Sequence, residues 1–176
     1  VNCLFQCPAE LAAFIMPMLG LPAWGVKQGY GSFLTFEFGE PRLEVHEMRS
    51  PENRLRRSAH VHGEWHLWIY CCHWRVSLDG SQLAQSEDDS PTIDQAAQAL
   101  NAQKLVAVNI APENGRSLFT FDLGGVLETW PYGEDANAEQ WKIVAEPTSF
   151  AFRADGQYWC GLSNLPADQV PWVPFR

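Results

Sequence analysis

The amino-acid sequence predicts an α+β protein organised as a pseudo-twofold tandem repeat, each unit being one helix plus a mainly antiparallel sheet. Three observations carry this expectation. The stretch SFLTFEFGEPRLEV at residues 32–45 returns as SLFTFDLGGVLET at residues 117–129, offset by 85 residues up to Gly39/Gly124 and by 84 at Leu43/Leu127. A helical pattern precedes each copy. Short turns rich in Gly, Asp and Pro separate the apolar runs, and strands joined by short turns run antiparallel.

Residues 8–19 (PAELAAFIMPML) read as the first helix. Pro8 suits its first turn, Glu10 sits near the positive end, and Leu11, Phe14, Ile15 and Met18 share one face. Pro17 and Gly20 close it. Residues 24–28 begin a strand, Gly29-Tyr30-Gly31 turns, and 32–45 reads as a β-hairpin. Residues 47–58, with Arg54, Arg56 and Arg57, read as an exposed connection. Residues 60–76 (HVHGEWHLWIYCCHWRV) read as one long extended run; beyond His66 both alternating phases are apolar, as in a central strand buried on both faces.

Asp79-Gly80 is a turn. Ser90 as N-cap and Pro91 at the first helical position open a helix over 91–103, with Ile93, Ala96, Ala97 and Leu100 inward. A strand over 104–110 and a turn over 111–116 lead into the second hairpin. Trp74-Arg75-Val76 has a counterpart in Trp141-Lys142-Ile143, and 150–153 pairs with 157–161 across Ala154-Asp155-Gly156. The tail, interrupted by Pro171 and Pro174, packs Trp172 and Phe175 along the surface. The repeat units are 8–86 and 91–161 with a tail over 162–176, their sheets joined edge to edge within a single compact domain spanning 1–176.

A hydrophobic content of 46%, with eight Trp and ten Phe, is that of a globular chain that buries a core without metals or disulfides. Twelve Lys and Arg against 21 Asp and Glu, a formal charge of −9, argue against a nucleic-acid partner and permit a basic protein partner. An odd set of cysteines (Cys3, Cys7, Cys71, Cys72, Cys160) points to reduced thiols. No signal peptide or membrane span is apparent, so cytoplasmic residence is the default expectation. No cofactor is required, and open strand edges offer a route to a homodimer.

The motifs Leu34-Thr35-Phe36-Glu37-Phe38-Gly39, Trp74-Arg75, the step from the second helix into Leu105-Val106, and Phe119-Thr120-Phe121-Asp122-Leu123-Gly124-Gly125 followed by Trp141 resemble a group of uncharacterised bacterial proteins. Some of these resemble immunity proteins of polymorphic toxin systems. The resemblance covers most of the chain and implies a non-catalytic module that binds and blocks a partner enzyme; it supplies no catalytic residue.

The candidate chemistry is sparse. His60, His62, Glu64 and His66 share one phase of an extended segment and form the candidate metal set, the basis of the alternative reading as a metal-dependent hydrolytic enzyme. Side chains two apart on a straight strand stand about 6–7 Å apart, so one ion requires a bulge or bend. Glu37/Glu44 and Asp122/Glu128 recur in the two copies and read as outward scaffold positions rather than an acid–base pair. Cys71 and His73 do not define a dyad by spacing alone. Trp24, Trp65, Trp130, Tyr132 and Trp172, near strand ends or loops, are the candidate interface anchors.

Overall fold

The structure, a computed structural model, describes residues 8–175. Cys3 and Cys7 lie outside them. The described chain is α+β, with mostly antiparallel strands in two large sheets and one separate two-stranded arm.

Helix α1 (Ala9–Ile15) buries Leu11, Phe14 and Ile15, while Pro17 and Gly20 fall in the turns that follow it. Helix α2 (Ser90–Leu100) buries the expected Ile93, Ala96, Ala97 and Leu100. Its cap is Asp89 rather than Ser90: Asp89 Oδ1 accepts the Thr92 amide at 3.0 Å. Both residue types can cap, and the one that precedes the first helical residue does so here.

The larger sheet has the order β1 (Trp24–Gln28), β2 (Leu34–Phe38), β5 (Trp65–Ile69), β11 (Glu139–Ala145), β12 (Thr148–Arg153), β13 (Gln157–Leu162) and β14 (Val173–Pro174). The smaller runs β7 (Ser81–Gln85), β6 (His73–Leu78), β10 (Gly125–Trp130), β9 (Arg116–Phe121) and β8 (Leu105–Ala111). The sheets are not joined edge to edge as the sequence suggested. Each buries one face against the other: Phe36 stacks on Phe121 with centroids 6.1 Å apart, and Phe119 meets Trp141 edge-on at 5.4 Å. The two central tryptophans are tied across the sheets, Trp74 Nε1 donating to the Ser32 carbonyl at 2.7 Å and Trp141 Nε1 to Ser117 Oγ at 2.9 Å. Burying large aromatic faces outweighs what edge pairing alone would supply.

The two copies of the repeated motif fold differently. In the second, β9 and β10 form the expected hairpin, with Thr120 opposite Val126 and Phe119 opposite Leu127. In the first, β2 does not pair with the strand that follows it. It pairs with β5, from Phe38↔Trp65 to Leu34↔Ile69, and the intervening residues leave the sheet as an arm of β3 (Arg42–Arg49) and β4 (Leu55–His62). A Cβ at Gly63 would collide with the Phe38 carbonyl, so only glycine lets the returning chain reach the β2 edge. Pro41, which has no N–H to donate, stands where a β2–β3 ladder would begin. The segment 47–58, expected as a loop, supplies the end of β3, the start of β4 and the turn between them, where the Asn53 amide donates to the Ser50 carbonyl at 2.8 Å.

The extended run 60–76 likewise divides into the end of β4, then β5 and β6, with breaks at 63–64 and 70–72. In β5 Leu67 and Ile69 are buried while Trp68 is exposed, because the larger sheet has the core on one side only. As expected, β12 and β13 form a hairpin, and Phe175 packs edge-on against Phe152 and Tyr158 at 5.9 and 5.6 Å. No helix among the described residues is long and apolar enough to cross a membrane.

Phe38 and Trp65 are already opposite one another, and residues 39–64 contribute no strand pair to either large sheet. Replacing them with Asn-Gly, which favours a tight hairpin turn, is expected to leave a cooperative thermal melt with Tm within about 5 °C of the full chain. Circular dichroism checks this; a non-cooperative melt would show that the arm belongs to the core.

Candidate metal centre at the base of the arm

Strand β2 turns Phe36 and Phe38 into the core and Glu37 to the other side, where it lies opposite His66 of β5. The arm returns to the sheet through His62, the last residue of β4, and the bend at Gly63 drops this imidazole beside the same carboxylate. Glu37 Oε1 is 2.7 Å from His66 Nδ1 and 3.5 Å from His62 Nδ1, and Glu37 Oε2 accepts the Gly63 amide at 2.9 Å. One potential ligand atom from each of Glu37, His62 and His66 lies within 4.8 Å of the other two. Ligands on a tetrahedral zinc ion stand about 3.3 Å apart, so small movements of these side chains suffice.

Glu37 is only 6% exposed, and a buried carboxylate needs partners. Burial pushes its carboxyl upward, but the His66 hydrogen bond, the Gly63 amide and the charge of both imidazoles outweigh that and hold it below its ordinary 4.5. Ionised Glu37 therefore contributes stability that is present above that value and is lost as pH falls through the lowered one. With EDTA present, the Tm difference between the wild type and Glu37→Gln is expected to shrink as pH falls below about 4.5. A difference that stays constant into acid would show that Glu37 is not ionised in the fold.

The site opens into a cleft of about 230 Å³ walled by Arg42, Glu44, Trp68, Val144 and Glu146. His62 and His66 are partly exposed, so the cluster faces solvent on the cleft side. Of the four residues singled out in the sequence, His62 and His66 converge. His60 lies further along the arm, its ring 6.3 Å from that of His62 and 6.0 Å from that of His46. Glu64 turns to the root of the arm, bonding Arg42 at 3.2 Å and accepting the Glu40 amide at 3.3 Å. The third member of the cluster is Glu37, which the sequence reading placed outward as scaffold. Its supposed equivalent Asp122 sits in the β9–β10 turn and accepts the Lys104 amide at 2.8 Å. The available signal was a lone acid in the middle of LTFEF, where a buried charge requires a purpose.

The aromatic candidates occupy three places. Trp24 donates Nε1 to the Gly39 carbonyl at 2.9 Å, and Trp65 lies so close to Gly39 that a Cβ there would meet its ring at 3.0 Å; both buttress the arm's root. Trp130 and Tyr132 gather around His73, with Tyr132 at 4.7 Å. Trp172 carries the Arg153 guanidinium at 4.9 Å. His73 bonds Glu87 rather than Cys71, and burial pushes the Cys71 and Cys72 thiols up, away from the thiolate a nucleophile requires.

Comparison of the chain with protein-family models, with curated proteins and with solved structures yields no match.

Proposed function

We propose that Glu37, His62 and His66 bind a divalent transition-metal ion, with zinc the best match to two imidazoles and one carboxylate, and that the cleft beside it serves metal-assisted hydrolysis. The convergence of three ligand side chains from three strands on one point carries this reading. Held by these three residues, such an ion would supply Lewis-acid activation of a water from the cleft side. Glu44, Glu64 and Glu146 line the cleft, and because Arg42 engages Glu64, Glu44 and Glu146 would be the groups to accept that water's proton. The Gly63 amide holds Glu37 in the orientation a ligand needs. Calorimetric titration of EDTA-stripped, dialysed protein with zinc chloride tests the proposal: one equivalent per chain is expected, and heats no larger than dilution would reject it.

The two sheets lend support. Their orders, β1-β2-β5-β11-β12 and β8-β9-β10-β6-β7, run in parallel if one helix-plus-sheet unit was duplicated and the last two strands of each unit exchanged sheets. On that inference the β9–β10 turn is the plain version of the β2–β5 connection. The arm and the cluster at its base are then what the first unit has added, as expected of a functional elaboration on a repeated scaffold.

A second reading, a non-catalytic binding module of the immunity-like kind, is favoured by the Trp130–Tyr132–His73 patch. There Arg116 stands 5.7 Å over Trp130, and Tyr132 is exposed. Aromatic residues with an arginine in one patch are the usual anchors of protein contacts.

A further inference from the structure

The arm is an unusual structure to leave in water. Every residue of β3 is exposed, as is every residue of β4 except the half-buried Ser58 and His62. Cross-strand pairing places Leu43 beside Val61, Val45 beside Ala59 and Arg49 beside Leu55 on one face, with Leu43 69% and Val61 52% exposed. Within that face the cationic Arg57 is already neutralised by Glu47 at 2.5 Å. A two-stranded ribbon alone is marginally stable, and a contiguous exposed apolar face marks a contact surface.

Charge identifies what covers it. Residues 42–62 hold five of the 12 basic and three of the 21 acidic side chains, so the arm carries +2 while the rest of the chain carries −11. Another copy of the same chain is therefore a partner of opposite charge for the arm. We propose that the arm docks on the acidic body of a second copy, reciprocally, forming a closed two-fold dimer by arm exchange. The contact then has an apolar centre of Leu43, Val45, Leu55 and Val61, with Arg54 and Arg56 supplying positive charge near the arm's tip. Reciprocity closes the assembly, since each copy offers one arm and one acidic surface. Each copy carries −9 overall, so the arm's positive charge orients the contact locally, and the apolar centre supplies most of the affinity.

The test is the mass in solution by light scattering after gel filtration, in EDTA so that zinc bridging plays no part. The wild type is expected at twice 19.8 kDa. The double variant Leu43→Glu/Val61→Glu is expected at the monomer mass, with a thermal melt confirming that the body is folded. The variant Arg54→Glu/Arg56→Glu separates arm-on-body from arm-on-arm: dimer affinity falls about tenfold or more if the arm meets the acidic body, and is unchanged or improved if two arms meet. A monomeric wild type at about 100 μM, where a micromolar contact is nearly saturated, would overturn the proposal, as would a dimer indifferent to both variants. None of these outcomes bears on zinc binding, which the calorimetry reads separately.

Discussion

Zinc affinity is expected to fall by more than about 100-fold in Glu37→Ala and in His66→Ala, since even residues that only orient a ligand are worth about 10–100-fold. The two side chains face one another across β2 and β5, and each would supply one of the three ligand atoms. His62→Ala is expected to match them. The informative contrast lies with neighbours in the sequence. His60→Ala should leave the affinity unchanged, its ring lying one position further along the arm. Glu64→Gln should weaken binding only as far as the arm's root loosens, Glu64 being engaged with Arg42 and the Glu40 amide. Calorimetry on the five variants checks this. Equal losses for His60 and His62 would show that the ion is held along the arm instead of at its base.

Trp141→Ala is expected to lower stability by about 3–5 kcal/mol, the usual range for emptying a fully buried aromatic position. In a chain of this size that is a Tm decrease of roughly 8–16 °C. Trp141 is fully buried in the fourth strand of the larger sheet, opposite Ile69 and Phe152. Its ring lies 5.6 Å from Phe150, 5.5 Å from Phe152 and 5.4 Å from Phe119, the last in the other sheet. Losing it opens a cavity where the sheets meet and leaves Ser117 Oγ without its donor. Trp130→Ala, on the half-exposed rim, should cost about 1 kcal/mol or less. Denaturant melts of both variants provide the measurement; a small loss at Trp141 would mean that the two sheets do not share a core.

The candidate site was half legible. His62 and His66 stood out because three of the five histidines fall within seven residues. Reading them as one straight strand, however, kept them apart and drew in His60 and Glu64. The bend at Gly63 was signalled only by the glycine itself, and its effect depends on the Phe38 backbone it must pass. Glu37 was hidden by its resemblance to Asp122, because a repeat in sequence implies equal surroundings only where both copies connect in the same way. The aromatic candidates were visible as residues, but whether they gather in one patch depends on strand order.

From local pattern alone came the two helices with their buried faces, the strand-rich character, the β9–β10 and β12–β13 hairpins, and the acidic surface. These depend on periodicity, turn chemistry and composition, which neighbouring residues determine among themselves. Only the tertiary structure decided that β2 pairs with β5, that the sheets meet face to face, that 42–62 stands out as an arm, and that Glu37 joins two histidines. Each is a choice of partner between segments distant in the chain. Such choices are made by competition for buried area and open strand edges, which no local stretch of residues records.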